Sequence, residues 1–138
     1  MKIRIQDNSV RFRITIKELE TLLADGAIIS RTAFPGTREA HVLSYGITSV
    51  RDAHESRIRF TGDQIIAELC ERDLQLLKDD SREGVYCPSE LPRLDGERFI
   101  FFIEKDRPGS ACEKPEHWIY EESAGKPTGF RPIKGSAQ

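Results

Sequence analysis

The sequence predicts an α+β domain: a mostly antiparallel, curved or partly closed sheet of about six strands, with one main helix packed on it. Three observations predict it. Residues 2–14 alternate apolar and polar, interrupted only by Asp7-Asn8. Residues 15–25 switch to helical spacing behind a capping sequence. The run Phe99-Ile100-Phe101-Phe102-Ile103 is apolar at every position, the pattern of a central strand covered on both faces.

The first two strands, Lys2 to Gln6 and Ser9 to Ile14, form a hairpin, because Asp and Asn tolerate the positive φ of a two-residue turn. Thr15 with Glu18 three residues on is a capping box. Ile16, Leu19, Leu22 and Leu23 then supply an apolar stripe, of which Leu19 and Leu23 are expected to be buried, and Gly26 stops the helix. Further strands are expected over Ala27 to Ala33, Val42 to Val50, Ser56 to Thr61 and Gln64 to Leu69, with breaks at Pro35-Gly36 and Gly62-Asp63. A short helix from Glu71 to Lys78 is carried by Leu74 and Leu77. Spacing alone also allows one helix over Gln64 to Lys78, but the Gly62 turn favours strand then helix. Asp79 to Gly96, with Pro88 and Pro92, reads as loop. No internal repeat is expected.

The chain has 138 residues, which suits one domain. Leu, Ile, Val and Phe make up about a quarter of it, too many for a disordered chain. No window approaches the 18 or more apolar residues of a membrane-spanning helix. Lys and Arg (21) nearly balance Asp and Glu (23), so no overall charge draws the chain to nucleic acid or to an anionic membrane. The opening Met1-Lys2-Ile3-Arg4-Ile5 has no signal-peptide core, and Cys70, Cys87 and Cys112 are odd in number and far apart. A reducing cytoplasm is therefore the expected compartment. Cys70, Cys87, Cys112 and His117 lack the paired spacing of a metal knuckle, and Cys70 is expected to be a small core residue. Cofactor loops and nucleophile elbows are absent, so no cofactor, metal or catalytic residue is assigned.

The hairpin register carries the sharpest clue. If Ile5 faces Val10 and Ile3 faces Phe12, then Arg4 faces Arg11 and Lys2 faces Arg13 on the other side. Like charges directly opposite repel, so something negative must lie near Lys2, Arg4, Arg11 and Arg13. Internal carboxylates are the weightier answer, with Glu68 and Glu104 as candidates. The alternative is a bound anion, a phosphate or nucleotide, held or processed by this basic face. Without interleaved aromatics, single-stranded nucleic acid is not expected. Triphosphate-processing tunnels would need more carboxylates than Glu68 and Glu104 supply, and a Glu-x-Glu-x-Lys opening that is missing.

Met1-Lys2-Ile3-Arg4, Asn8-Ser9-Val10-Arg11-Phe12-Arg13-Ile14-Thr15, Gly26 and Ile103-Glu104-Lys105-Asp106 resemble a family of small bacterial proteins of unknown function over about residues 1–106. The resemblance implies the strand-helix-strand order and no catalytic residue. After Asp106 the chain departs from it with Arg107-Pro108-Gly109. Residues 107–138 form a Pro/Gly-rich extension to the 1–106 domain, and Trp118-Ile119-Tyr120 is its one apolar anchor. The leading expectation is a non-enzymatic cytoplasmic binding or interaction module. Trp118 and Tyr120 would serve a protein partner, a second copy of the chain, or the chain's own core.

Overall fold

The structure is a computed structural model and describes residues 1–38, 41–90 and 96–106. Trp118, Tyr120, Cys112 and His117 lie outside the described residues. In chain order the elements are β1 (Lys2–Gln6), β2 (Ser9–Thr15), α1 (Ile16–Asp25), β3 (Ala27–Phe34), β4 (His41–Val50), β5 (Arg57–Thr61), β6 (Gln64–Cys70), α2 (Glu71–Lys78), β7 (Gly84–Glu90) and β8 (Arg98–Asp106). Among them no helix is long and apolar enough to cross a membrane.

The α+β class holds, but the single six-stranded sheet does not. Eight strands form two mixed four-stranded sheets, ordered β1-β2-β8-β7 and β3-β4-β6-β5. Each sheet has a parallel pair at its centre, β2 with β8 and β4 with β6, flanked by antiparallel pairs. Each helix carries the chain from one sheet to the other, so neighbours in sequence separate in space. Adjacent alternating strands give no sign of that exchange, which is why the sequence reads as one antiparallel sheet. The described chain also holds a second helix of two turns, α2.

The first hairpin has the expected register, with Lys2 opposite Arg13 and Arg4 opposite Arg11. Asp7 and Asn8 both take positive φ, 43° and 58°, as a primed turn needs. Thr15 and Glu18 complete the capping box of α1, and Gly26 ends it in the left-handed region at φ 82°. Leu19 and Leu22 are the residues α1 buries, while Leu23 is partly exposed, a correction to the expected stripe. β7 corrects the expected loop. Val85 and Cys87 point into the core while Tyr86 points out, and β7 is outermost in its sheet, where Pro88 is tolerated.

The core fills the space between the sheets. Phe12, Ile14, Phe101 and Ile103 of the first sheet meet Ile47, Ala67 and Leu69 of the second, and Leu22 and Leu77 close it from the helices.

The two halves of the domain repeat each other, contrary to the sequence expectation. Adding 55 to the residues of β1, β2 and α1 gives β5, β6 and α2: Lys2-Ile3-Arg4-Ile5 becomes Arg57-Ile58-Arg59-Phe60, and Leu19 and Leu22 become Leu74 and Leu77. The pairings repeat too. Lys2 opposite Arg13 matches Arg57 opposite Glu68, and Ser9 opposite Ile100 matches Gln64 opposite Ser44. Even loop bonds repeat: Ile100 N donates to Asn8 O at 3.1 Å and Ser44 N to Asp63 O at 2.9 Å. Few side chains are identical between the halves, so the periodicity shows mainly as shared pattern.

Candidate functional site

Three places on the domain gather groups with binding or chemical potential. The first is the outer face of the β1-β2-β8-β7 sheet, where the basic hairpin residues lie. Arg11 Nε is 3.4 Å and Arg13 Nη2 3.6 Å from Glu104 Oε1, and Lys2 Nζ is 3.6 Å from Asp106 Oδ2. Tyr86 Oη donates to Glu104 Oε2 at 3.4 Å. The register also sets Arg4, Arg11, Phe102 and Tyr86 in one row across the sheet. The Arg11 guanidinium lies 5.2 Å from the centre of the Phe102 ring, and Tyr86 meets that ring edge-on. Glu104 thus faces Arg11 and Arg13, and Asp106 faces Lys2. Glu68 lies in the other sheet and takes no part. It holds Arg57 and Arg59 at 2.5 and 2.8 Å, and the Arg57 hydrogen bond, against a modest opposition from burial, keeps its pKa below the usual carboxylate value.

The second place is the N-terminus of α2. Cys70 occupies the cap position but makes no side-chain cap. Ser56 stands in: its hydroxyl accepts from Cys70 N at 2.9 Å and donates to Asp73 Oδ2 at 2.5 Å. The thiols of Cys70 and Cys87 also approach Asp73 Oδ2, at 3.5 and 3.8 Å. Burial opposes ionisation of Asp73, but hydrogen bonds from Ser56, Arg72 and Cys70 outweigh it and hold its pKa below the ordinary value. Burial, reinforced by the Asp73 charge, pushes the Cys87 thiol up to about 12. A protonated, water-poor thiol is a poor nucleophile and a poor metal ligand. In α1 the Met1 ammonium, 2.6 Å from Glu18 Oε2, takes the place of Ser56. This cluster is helix-capping chemistry.

The third place was not singled out from the sequence. At the turn ends of the two hairpins a cleft of about 540 Å³ opens between the sheets, lined by Ile5, Val10, Ile58, Phe60, Ile65 and Phe99, with Arg57 and Ser89 at its edge. Phe60 is 77% and Ile5 61% exposed. Ile5 and Phe60 are equivalent under the 55-residue repeat, as are Val10 and Ile65, so both halves build the cleft alike. The signal that could have found it is the match of Lys2-Ile3-Arg4-Ile5 to Arg57-Ile58-Arg59-Phe60.

Residues 1–114 match the family described as "Family of unknown function (DUF7009)". The chain belongs to DUF7009. The match includes all three places just described and runs eight residues past the boundary that sequence patterning sets at 106; Trp118 and Tyr120 lie beyond it. Neither a curated protein nor a solved structure matches the chain.

Proposed function

We propose that this DUF7009 domain is a non-enzymatic, cytoplasmic binding module, and that its binding surface is the apolar cleft beside β5. The observation that carries the reading is the exposure of Phe60 at the lip of a cleft whose lining is almost wholly apolar. A side chain of that size left in water forgoes about 1.5–3 kcal/mol of burial, which a ligand can recover. β5 is outermost in its sheet, and an outermost strand presents backbone groups that a further extended segment can pair with. Ile58 and Phe60 lie on its cleft side; Arg57 and Arg59 lie on the other, sharing the single carboxylate of Glu68.

The ligand that fits is an extended peptide alternating apolar and acidic residues, its apolar side chains in the cleft and its carboxylates beside Arg57 and Arg59. The free thiols Cys70 and Cys87 accord with a reducing compartment. The test is to pan a phage-displayed peptide library against the full chain and against Phe60→Asp. Selected peptides should alternate apolar and acidic residues, bind the full chain, and lose at least tenfold in affinity on the variant. Selection of no such peptide, or equal binding to both proteins, refutes the reading.

A further inference from the structure

The outermost strands of the two sheets, β1, β7, β3 and β5, are guarded unequally. β1 and β5 carry a cation at alternate positions, Lys2 and Arg4 in one and Arg57 and Arg59 in the other, which discourages pairing with a second copy of the same strand. β7 is closed by Pro88. Lys105 N donates to Glu83 O at 2.8 Å, so odd residues of β7 bond β8 and even ones turn their backbone groups outward. Pro88 removes one of those outward N–H groups. β3 has neither protection. It is the longest of the four at eight residues, and Arg31 is its one charge. Ser49 N donates to Gly26 O at 2.9 Å, so even residues of β3 bond β4, while Ala27, Ile29, Arg31 and Ala33 turn N–H and C=O to the edge. Ile29 is 48% and Phe34 50% exposed, so the strand offers apolar surface as well as backbone groups.

We propose that β3 pairs antiparallel with β3 of a second copy of this chain, about a twofold axis at Ser30, joining the two β3-β4-β6-β5 sheets edge to edge. The strand's own sequence selects this register. An axis at Ser30 sets Ile29 opposite Arg31 and Ala27 opposite Ala33 of the second copy, so every outward-facing residue exchanges both of its backbone hydrogen bonds. The neighbouring registers fail. An axis at Arg31 sets two guanidiniums against each other, and one at Thr32 sets Ile29 opposite Pro35, which has no N–H. An axis at Ile29 sends Ala33 to Asp25, inside α1. In the Ser30 register no like charges meet, and Ile29 lies against the alkyl stem of the opposing Arg31. On the core side Phe34 comes opposite Gly26 of the second copy, where no side chain competes with its ring. β5 stays outermost at both ends of the joined sheet. The cleft is therefore left open, and the pairing does not depend on the peptide-binding reading.

Sedimentation equilibrium of the full chain, from micromolar to submillimolar concentration, should show a species of twice 15.7 kDa that dissociates on dilution. Ile29→Lys sets a lysine against Arg31 of the second copy on both sides of the axis. It should weaken association at least tenfold, with the far-UV circular dichroism unchanged. Ile29→Glu is as polar but faces Arg31 with the opposite charge, and should keep the dimer. Arg31→Glu added to Ile29→Lys turns repulsion into attraction at the same two positions and should restore it. Phe60→Asp, on the opposite edge of the sheet, should associate like the parent. A monomer at every concentration overturns the proposal, as does a dimer indifferent to Ile29→Lys. Equal loss in Ile29→Lys and Ile29→Glu, or no rescue by Arg31→Glu, overturns the Ser30 register and the pairing with it. Dissociation by Phe60→Asp would move the contact to the cleft and overturn the proposal too.

Discussion

Glu104→Gln should destabilise the domain far more than Glu68→Gln, although the bonds of Glu68 are the shorter ones. Each carboxylate serves two arginines: Glu104 lies 3.4 and 3.6 Å from Arg11 and Arg13, and Glu68 lies 2.5 and 2.8 Å from Arg57 and Arg59. Distance alone ranks Glu68 first; burial reverses the order. The arginines of Glu68 are 67% and 44% exposed, and water takes over much of what the carboxylate gave them, so the two pairs together are worth about 1–2 kcal/mol at most. Arg11 is nearly withdrawn from water, and taking the carboxylate from a buried guanidinium costs about 3–5 kcal/mol. For a chain of this size that lowers Tm by roughly 12–20 °C. Urea denaturation of the three proteins, followed by circular dichroism at neutral pH, gives the comparison. A control separates burial from geometry: Arg11→Met with Glu104→Met together should recover part of the loss, because the Arg11 charge leaves with its partner while Arg13, 13% exposed, still loses its carboxylate. Equal costs for Glu104→Gln and Glu68→Gln, or a double variant as unstable as the single one, would refute the reasoning.

Two further predictions concern the Asp73 cluster. Its folded pKa is depressed, so ionised Asp73 contributes stability that is fully present above the unfolded value of about 3.9 and is lost as pH falls through the folded value. Asp73→Asn should therefore cost about 1.5–3 kcal/mol at neutral pH, with a gap to the parent that closes below about pH 4; a gap that stays constant in urea titrations from neutral to acid pH contradicts this. Cys87, with its thiol pushed up to about 12, is about one part in 10⁴ thiolate at pH 8, so maleimide labelling with peptide mapping should find Cys87 unmodified in the folded chain and modified in urea. Fast labelling of Cys87 in the native protein would show that the cluster opens.

Where local pattern determines local structure, the sequence was readable. The Asp7-Asn8 turn, the Thr15–Glu18 capping box and the stop at Gly26 each depend on a few adjacent residues, and each is where the pattern puts it. The apolar run at 99–103 was readable as an interior strand for the same reason, since Phe101, Phe102 and Ile103 are all buried. The partition into two sheets was not readable, because it depends on β8 pairing in parallel with a strand some ninety residues earlier, and alternation does not record which strands meet. β7 was hidden by Pro88, which an outermost strand tolerates and an interior strand does not. The basic face was half legible. Parity placed the four cations together and named Glu104, but Glu68 has the same parity in the wrong sheet. The cleft was missed because its residues are ordinary strand hydrophobes, and only the three-dimensional ends of two hairpins bring them together.

The repeat also says where the two halves have kept a common chemistry and where they have not. At the helix N-termini the same task is done by different groups: the Met1 ammonium meets Glu18, and the Ser56 hydroxyl meets Asp73. On the outer faces position 13 is an arginine and its counterpart, Glu68, is a carboxylate, so one face must import its neutralising charge from β8 while the other carries it on the hairpin. At the cleft the counterparts keep their character, Ile5 with Phe60 and Val10 with Ile65, even though Ile5 and Phe60 are largely exposed and the fold does not need them to be apolar. A core position stays apolar because unfolding is the alternative; an exposed lip has no such constraint from stability. Under the peptide-binding proposal, two repeat-related, solvent-facing hydrophobes on either side of one opening stay apolar for what the opening receives, and that is the constraint the Phe60→Asp comparison tests.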